Sequence, residues 1–238
     1  DKYTYAHADL LQANPDLTAR LTINEEYIYD AHSALALLLE DERIGDIYLL
    51  GHSQGAMVAP RVMDALGAER FAGAVLLEGT PLHLWEADYY QSITTMELRD
   101  EENKAYARAQ LNIEAAKKDK ILAMSEEQLL QTTFFGLSAY YQADEMSVDA
   151  AETAKRLNKP LFIAQGGKDW QVAPANGIEA WQAALADSVP ATYKLYPDMN
   201  HMLCDMEGEP TGTTDDYQAG SYVSQELIGD IAAWILGD

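Results

Sequence analysis

An α/β fold, a mostly parallel sheet with flanking helices, is the class this sequence predicts. Short apolar runs alternate with amphipathic stretches along the chain, the pattern of parallel strands joined by crossover helices. Composition agrees. Of the 238 residues, 48% are hydrophobic and 23% charged, so the chain can bury a sizeable core. No internal repeat and no linker rich in Gly, Ser or Pro interrupts the alternation.

The first helix is expected from Asn24 to about Asp41. Thr22 and Glu25 have capping-box spacing, and Tyr27, Ala31, Leu35, Leu38 and Leu39 share one helical face. Gly45 follows, and residues 46–50 read as a buried strand. A second helix runs from about Gln54 to Leu66 and stops at Gly67. Phe71 to Leu77 is the next strand. Leu161 to Gln165, after Pro160, is a third. Ile178, Trp181 and Leu185 mark a helix after Pro174. Ala191 to Tyr196 is the fourth strand, and Leu227, Ile228, Ile231, Trp234 and Ile235 mark a closing helix.

Residues 85–156 break the alternation. Their pattern is helical, with a charged stretch from Glu97 to Lys120 and a second capping box at Ser125 and Gln128. An insertion of roughly 70 residues exceeds an ordinary connection. It reads as a helical cap over a core made of residues 1–84 and 157–238, because insertions at the carboxyl ends of parallel strands sit where ligands bind. An independent helical subdomain is the plainer alternative. Trp85, Tyr89, Tyr90, Phe134, Phe135, Tyr140 and Tyr141 supply it with aromatic surface, more often core than pocket. The acidic run Asp100 to Glu102 reads as a solvated helix face.

Lys and Arg total 16 against 39 Asp and Glu, a net charge of -23. Such acidity argues against nucleic acid and anionic membranes as partners. No run approaches the roughly 18 apolar residues of a membrane span. One cysteine, Cys204, excludes a disulfide within the chain. His201 and Cys204 are three apart, but no second pair completes a zinc set, and Gly166-Gly167 lacks dinucleotide spacing. No metal and no cofactor is expected.

Gly51-His52-Ser53-Gln54-Gly55 follows a predicted strand and opens a predicted helix, the context of a nucleophile elbow. The tight turn strains the serine and exposes its hydroxyl, and the glycines let neighbours approach. A serine hydroxyl needs a base, expected to be a histidine held by a carboxylate. The third strand ends in Gln165-Gly166-Gly167-Lys168-Asp169, and the fourth runs on to His201. Both loops lie at the same sheet edge as Ser53, with acid before histidine. Ser53, Asp169 and His201 are therefore the expected nucleophile, acid and base. His32 is expected at the surface or in helix packing, His7 near the start is uninformative, and His52 is expected beneath the elbow; Asp198 and Asp205, which flank His201, are weaker choices of acid, and Asp187 reads as helix surface. The Gln54 backbone N–H is the expected oxyanion donor; a second donor loop is not found. Trp170, beside the acid, and His83, after the second strand, are candidates for the pocket wall.

The chain resembles the α/β-hydrolases through GHSQG, GGKDWQV and PDMNH, above all bacterial esterases related to dienelactone hydrolase and to prolyl-oligopeptidase catalytic domains. The resemblance implies Ser53, Asp169 and His201 as a catalytic triad and carboxylic esters as the substrate class, here expected to carry small to medium acyl chains. A peptidase, an acyl transferase and a non-catalytic hydrolase domain remain as alternatives. In that family four strands precede this region and the oxyanion loop follows the third. The resemblance therefore implies a protein longer at its N-terminus. Without those strands the first one here would present an unpaired apolar edge, which a homodimer could also cover.

Overall fold

Four apolar runs form the central sheet of the computed structural model, which describes residues 2–99, 102–217 and 221–237. Along the chain come three short helices, α1 (Tyr3–Ala6), α2 (Ala8–Ala13) and α3 (Pro15–Ala19), and then α4 (Tyr29–Leu39). Strand β1 (Tyr48–His52), helix α5 (Gln54–Leu66) and strand β2 (Gly73–Leu77) follow. Between β2 and the next strand of the sheet lie α6 (Leu84–Leu98), α7 (Lys104–Ala115), α8 (Lys118–Leu122) and α9 (Glu126–Leu130). A hairpin, β3 (Thr133–Phe134) with β4 (Leu137–Ser138), leads to α10 (Ala139–Glu145) and α11 (Ala150–Leu157). The core resumes with β5 (Leu161–Gly166), α12 (Ile178–Leu185), β6 (Ala191–Tyr196) and α13 (Gln225–Leu236).

The sheet is parallel throughout, in the order β1-β2-β5-β6. The α/β class and the mostly parallel sheet are as expected. Alternate residues serve opposite faces. Ala74, Leu76, Leu161 and Ile163 join one core with Met63, Trp181 and Leu185 from α5 and α12. Val75, Leu77, Phe162 and Ala164 face Leu227 of α13. Because every strand runs the same way, the carboxyl ends of β1, β2, β5 and β6 share one edge. Ser53, Asp169 and His201 follow β1, β5 and β6 at that edge.

Several local expectations need correction. The helix expected from Asn24 begins as a π-helical turn over Asn24–Ile28 before α4. Glu25 reaches back to the Thr22 N–H at 2.8 Å, as a capping box requires, but the Thr22 hydroxyl donates to that same carboxylate. Leu35 is buried, whereas Leu38 and Leu39 are 38% and 50% exposed. The helix meets the core through Ala31 and Leu35 and not through its last turn. In α13, Ile228 and Ile235 likewise stay exposed. Helices α1 to α3 were not foreseen, being too short to show a period. Nor was the β3–β4 hairpin, whose turn places Phe135 and Gly136 at φ 47° and 75°. Strand β1 is an edge strand, and its Leu50 is 55% exposed. Asp100 and Glu101 of the acidic run lie outside the described residues. No helix among the described residues is long and apolar enough to cross a membrane.

Candidate active site

Ser53 stands between β1 and α5 with φ 55° and ψ −124°. A side chain rarely accepts that conformation, and three contacts impose it. The Ser53 N–H donates to Leu77 O at 2.8 Å, and its carbonyl accepts from Ala56 N–H at 2.9 Å. A Cβ at Gly51 would overlap the Gly55 carbonyl, so the turn closes only with glycine there. Gln54 begins the 13-residue helix α5. Its backbone N–H belongs to the first turn, where amides have no intrahelical acceptor.

The three expected residues come together. His201 Nε2 lies 3.0 Å from Ser53 Oγ, and His201 Nδ1 lies 2.8 Å from Asp169 Oδ2. Asp169 follows β5, and His201 follows β6. Both are buried, at 3% and 4% exposure. The other Asp169 oxygen accepts the N–H groups of Gln171 and Val172 at 2.8 and 2.9 Å, so the carboxylate cannot rotate without losing two bonds. The Asn200 side chain shapes the His201 loop by accepting from Met202 N–H and donating to Asp216 O.

The remaining residues divide by place. His52 Nε2 lies 2.7 Å from the His201 carbonyl. Burial, the largest cause, holds its pKa below the usual histidine value; neutral, it can donate to that carbonyl. Trp170 is buried and stacked on Tyr217, centroids 6.1 Å apart. His83 caps the start of α6, with Nδ1 3.4 Å from Glu145 Oε2. The Glu145 hydrogen bond raises its pKa, against the opposing effect of burial. Two tyrosines that the sequence places only on a helix face and in the aromatic surface of the insertion, Tyr27 and Tyr141, join the site. The Tyr27 hydroxyl donates to Gln54 Oε1 at 2.8 Å, and Gln54 Nε2 donates to the Tyr141 hydroxyl at 2.9 Å. Burial pushes both phenols well above the usual tyrosine value.

Gln54 lines two cavities, as do Gly136 and Leu137. One cavity of about 760 Å³ is lined by Gln54, Leu11, Leu21, Glu26 and Tyr141. Another of about 810 Å³ is lined by Gln54, Leu84, Asp88, Met96 and Phe135. Trp170 and His83 line neither. Asp88 titrates at about 6, raised by burial first and by Glu145 second. Among the described residues, one cluster has metal-ligand spacing: Glu78, Asp169 and His201, with ligand atoms within 4.8 Å of one another. Both His201 nitrogens in it already face Asp169 and Ser53.

Residues 16–209 match the model of the family described as serine aminopeptidase, S33 (Hydrolase_4). The chain belongs to this α/β-hydrolase family. Within 218 aligned residues it is 29% identical to the esterase EstD of Thermotoga maritima, covering 91% of this chain and 49% of that protein. The chain therefore spans about half the length of this curated relative. Among solved structures, Est1E from Butyrivibrio proteoclasticus is 15% identical, with 76% of this chain and 63% of that one covered and a TM-score of 0.47. A thermophilic esterase from Thermogutta terrifontis is also 15% identical, with 91% and 73% covered and a TM-score of 0.47. The Hydrolase_4 match takes in the elbow and both loops that bring Asp169 and His201 to it.

Proposed function

We propose that this chain carries the catalytic centre of a serine hydrolase that cleaves carboxylic esters of small to medium acyl chains, with Ser53, His201 and Asp169 as its triad. The observation that supports this is the unbroken hydrogen-bonded row from Ser53 Oγ through the imidazole to Asp169. His201 Nε2 takes the Ser53 proton as the hydroxyl oxygen bonds to the ester carbonyl, then gives it to the departing alcohol. Asp169 accepts from Nδ1–H, which selects the tautomer with a free lone pair on Nε2. Water, deprotonated by His201, then releases the acid from the acyl-enzyme. The Gln54 N–H, at the positive end of α5, stabilises the oxyanion.

The helical segment between β2 and β5 is the proposed cap. The two cavities beside Gln54 fall in the range of small-ligand sites and would take the two halves of an ester. Trp170 and His83 are proposed as supports of the loops that carry the site, since each is engaged by a protein neighbour. A Ser53→Ala variant should lose p-nitrophenyl ester hydrolysis by on the order of 10⁴ or more, the scale for removing a triad member. Parental turnover in that variant would end the proposal.

The family description favours one second reading, a peptidase with the same triad. The amide leaving group needs the same proton from His201, so the side-chain geometry serves both. Assay of an ester and the matching amino-terminal amide on one preparation decides between them. The esterase reading expects the ester to be cleaved and the amide to be left intact.

A further inference from the structure

A second carboxylate stands behind the triad, and acyl transfer leaves it unused. Glu78 is the first residue after β2 and is fully buried. Its backbone takes φ 49°, a conformation that costs a non-glycine residue energy and persists only where the surroundings enforce it. The chain is fixed there on both sides: Glu78 N–H donates to Ala164 O at 3.0 Å, and a Cβ on Gly79 would overlap the Ala56 side chain under the elbow. The side chain is fixed as well. The Gly166 N–H donates to Glu78 Oε1 at 2.8 Å and Oε2 at 3.0 Å. The Gln165 amide donates to Glu78 Oε2, to Asp169 Oδ2 at 3.0 Å and to Val172 O at 2.9 Å. One amide group thus bridges the two carboxyl groups, and an Nε2 with two hydrogens serves three acceptors.

Two carboxylates this close cannot both carry charge in a buried site. The charged and titratable groups around them are few. His201 faces Asp169, His52 lies behind His201, and the Tyr217 hydroxyl bonds to Gln171 nearby at 2.7 Å. Lys168 turns away, to Asp198 at 2.7 Å and Met206 O at 2.8 Å. Among the described residues, no Lys or Arg is paired with either carboxyl. Asp169 accepts from two backbone N–H groups, from the imidazole and from a shared hydrogen of the Gln165 amide, a set of donors that favours the anion at Asp169 over one at Glu78.

We propose that Glu78 is a positioning residue of this site: a neutral carboxylic acid whose proton lies toward Asp169, so that the pair holds one negative charge and keeps it against His201 Nδ1. This rests on the serine-hydrolase reading for its role in turnover, but the protonation pattern stands on the geometry alone. Burial first, and the Asp169 charge second, keep the Glu78 carboxyl well above the usual glutamate range. The bridge through Gln165 gives Glu78 a mechanical part too. It stops the Asp169 loop, the β5 end and the β2 end from sliding past one another beneath the elbow.

The test titrates the His201 imidazole by NMR in the intact protein, in E78Q and in E78A, beside kcat and KM for p-nitrophenyl acetate across the same pH range. Gln replaces a neutral acid without changing charge. The His201 midpoint should therefore move by less than about half a unit in E78Q, whereas removing an anion at this distance would lower it by about one to three units. Truncation to Ala should cut kcat about tenfold or more with KM little changed, the scale for an outer partner of a catalytic group, and E78Q should restore most of that loss. A midpoint lowered by a unit or more in E78Q overturns the proposal, and so does parental kcat in E78A. If E78A does not fold, the E78Q titration decides. The NMR midpoint does not depend on ester turnover. Hydrolysis that survives Ser53→Ala would therefore remove the serine-hydrolase reading while the Glu78 proposal is still decided.

Discussion

Ser53 shows how little freedom the elbow has. Its φ of 55° is held by hydrogen bonds at both its N–H and its carbonyl, and the segment after β2 closes over it. Gly79 is the tightest point of that closure: a Cβ would overlap the Ala56 methyl and sit 3.1 Å from the Ser53 carbonyl. Gly79→Ala should therefore push the elbow rather than merely crowd the core. The expected result is a kcat loss larger than the fall in melting temperature would explain, measured by ester kinetics and thermal unfolding on the same sample. Full kcat in a destabilised Gly79→Ala protein would mean that the elbow does not move with its floor. Asp169→Asn tests the other end of the row. An amide facing Nδ1 stabilises the wrong tautomer, and the expected loss in kcat is on the order of 10⁴.

At the scale of elements, the segment between β2 and β5 meets the core through apolar packing, with Ala151 and Ala154 of α11 in the main cluster, and through polar contacts. Arg61 of α5 pairs with Asp144 of α10 at 2.9 Å, and Asp144 also accepts from Ile23 N–H at 3.0 Å. Within the segment, His83 at the start of α6 meets Glu145 at the end of α10. Between these anchors the segment has its own apolar cluster of Ile121, Phe134 and Ala139, with Trp85 and Phe135 against it. The His83 contact is a pH-dependent one. Its folded pKa is raised, chiefly by Glu145. Its contribution is therefore fully present below the unfolded value of about 6.5 and is lost as pH rises through the folded value. His83→Gln should cost more unfolding free energy at pH 5.5 than at pH 9, by at most about 1 kcal/mol for a partly exposed pair. Equal costs at the two pH values would show that the pair carries no charge-dependent stability.

For the molecule as a whole, the excess of 39 acidic over 16 basic residues sets the response to salt. Self-repulsion opposes compactness, and raising ionic strength from about 0.01 to 1 M shortens the screening length from about 30 to 3 Å. The melting temperature should rise with sodium chloride over that range. A fall would mean that pairs such as Arg156 with Asp64 outweigh the net repulsion. The same parallel sheet carries the site at one edge and leaves β1 at the side, with Leu50 and the last turn of α4 exposed.

Much of this architecture could be read along the chain. The bounds of α5 and β6 follow from local chemistry: Gly67 at φ 91° stops the helix, and Pro190 precedes the strand. The elbow, too, is a local signature, as was the order of acid and histidine on loops after later strands. Glu78 left a faint mark, a lone acid closing the apolar run of β2, whose partner the sequence does not name. The Tyr27 and Tyr141 clamp on Gln54 left none. What tertiary structure alone decided were these partnerships across long separations: 148 residues from Ser53 to His201, 149 from His52 to the His201 carbonyl and 87 from Glu78 to Gln165. Periodicity and turn chemistry act over a few residues. Bonds between distant side chains exist only once parallel pairing of β1, β2, β5 and β6 has brought four carboxyl ends to one edge.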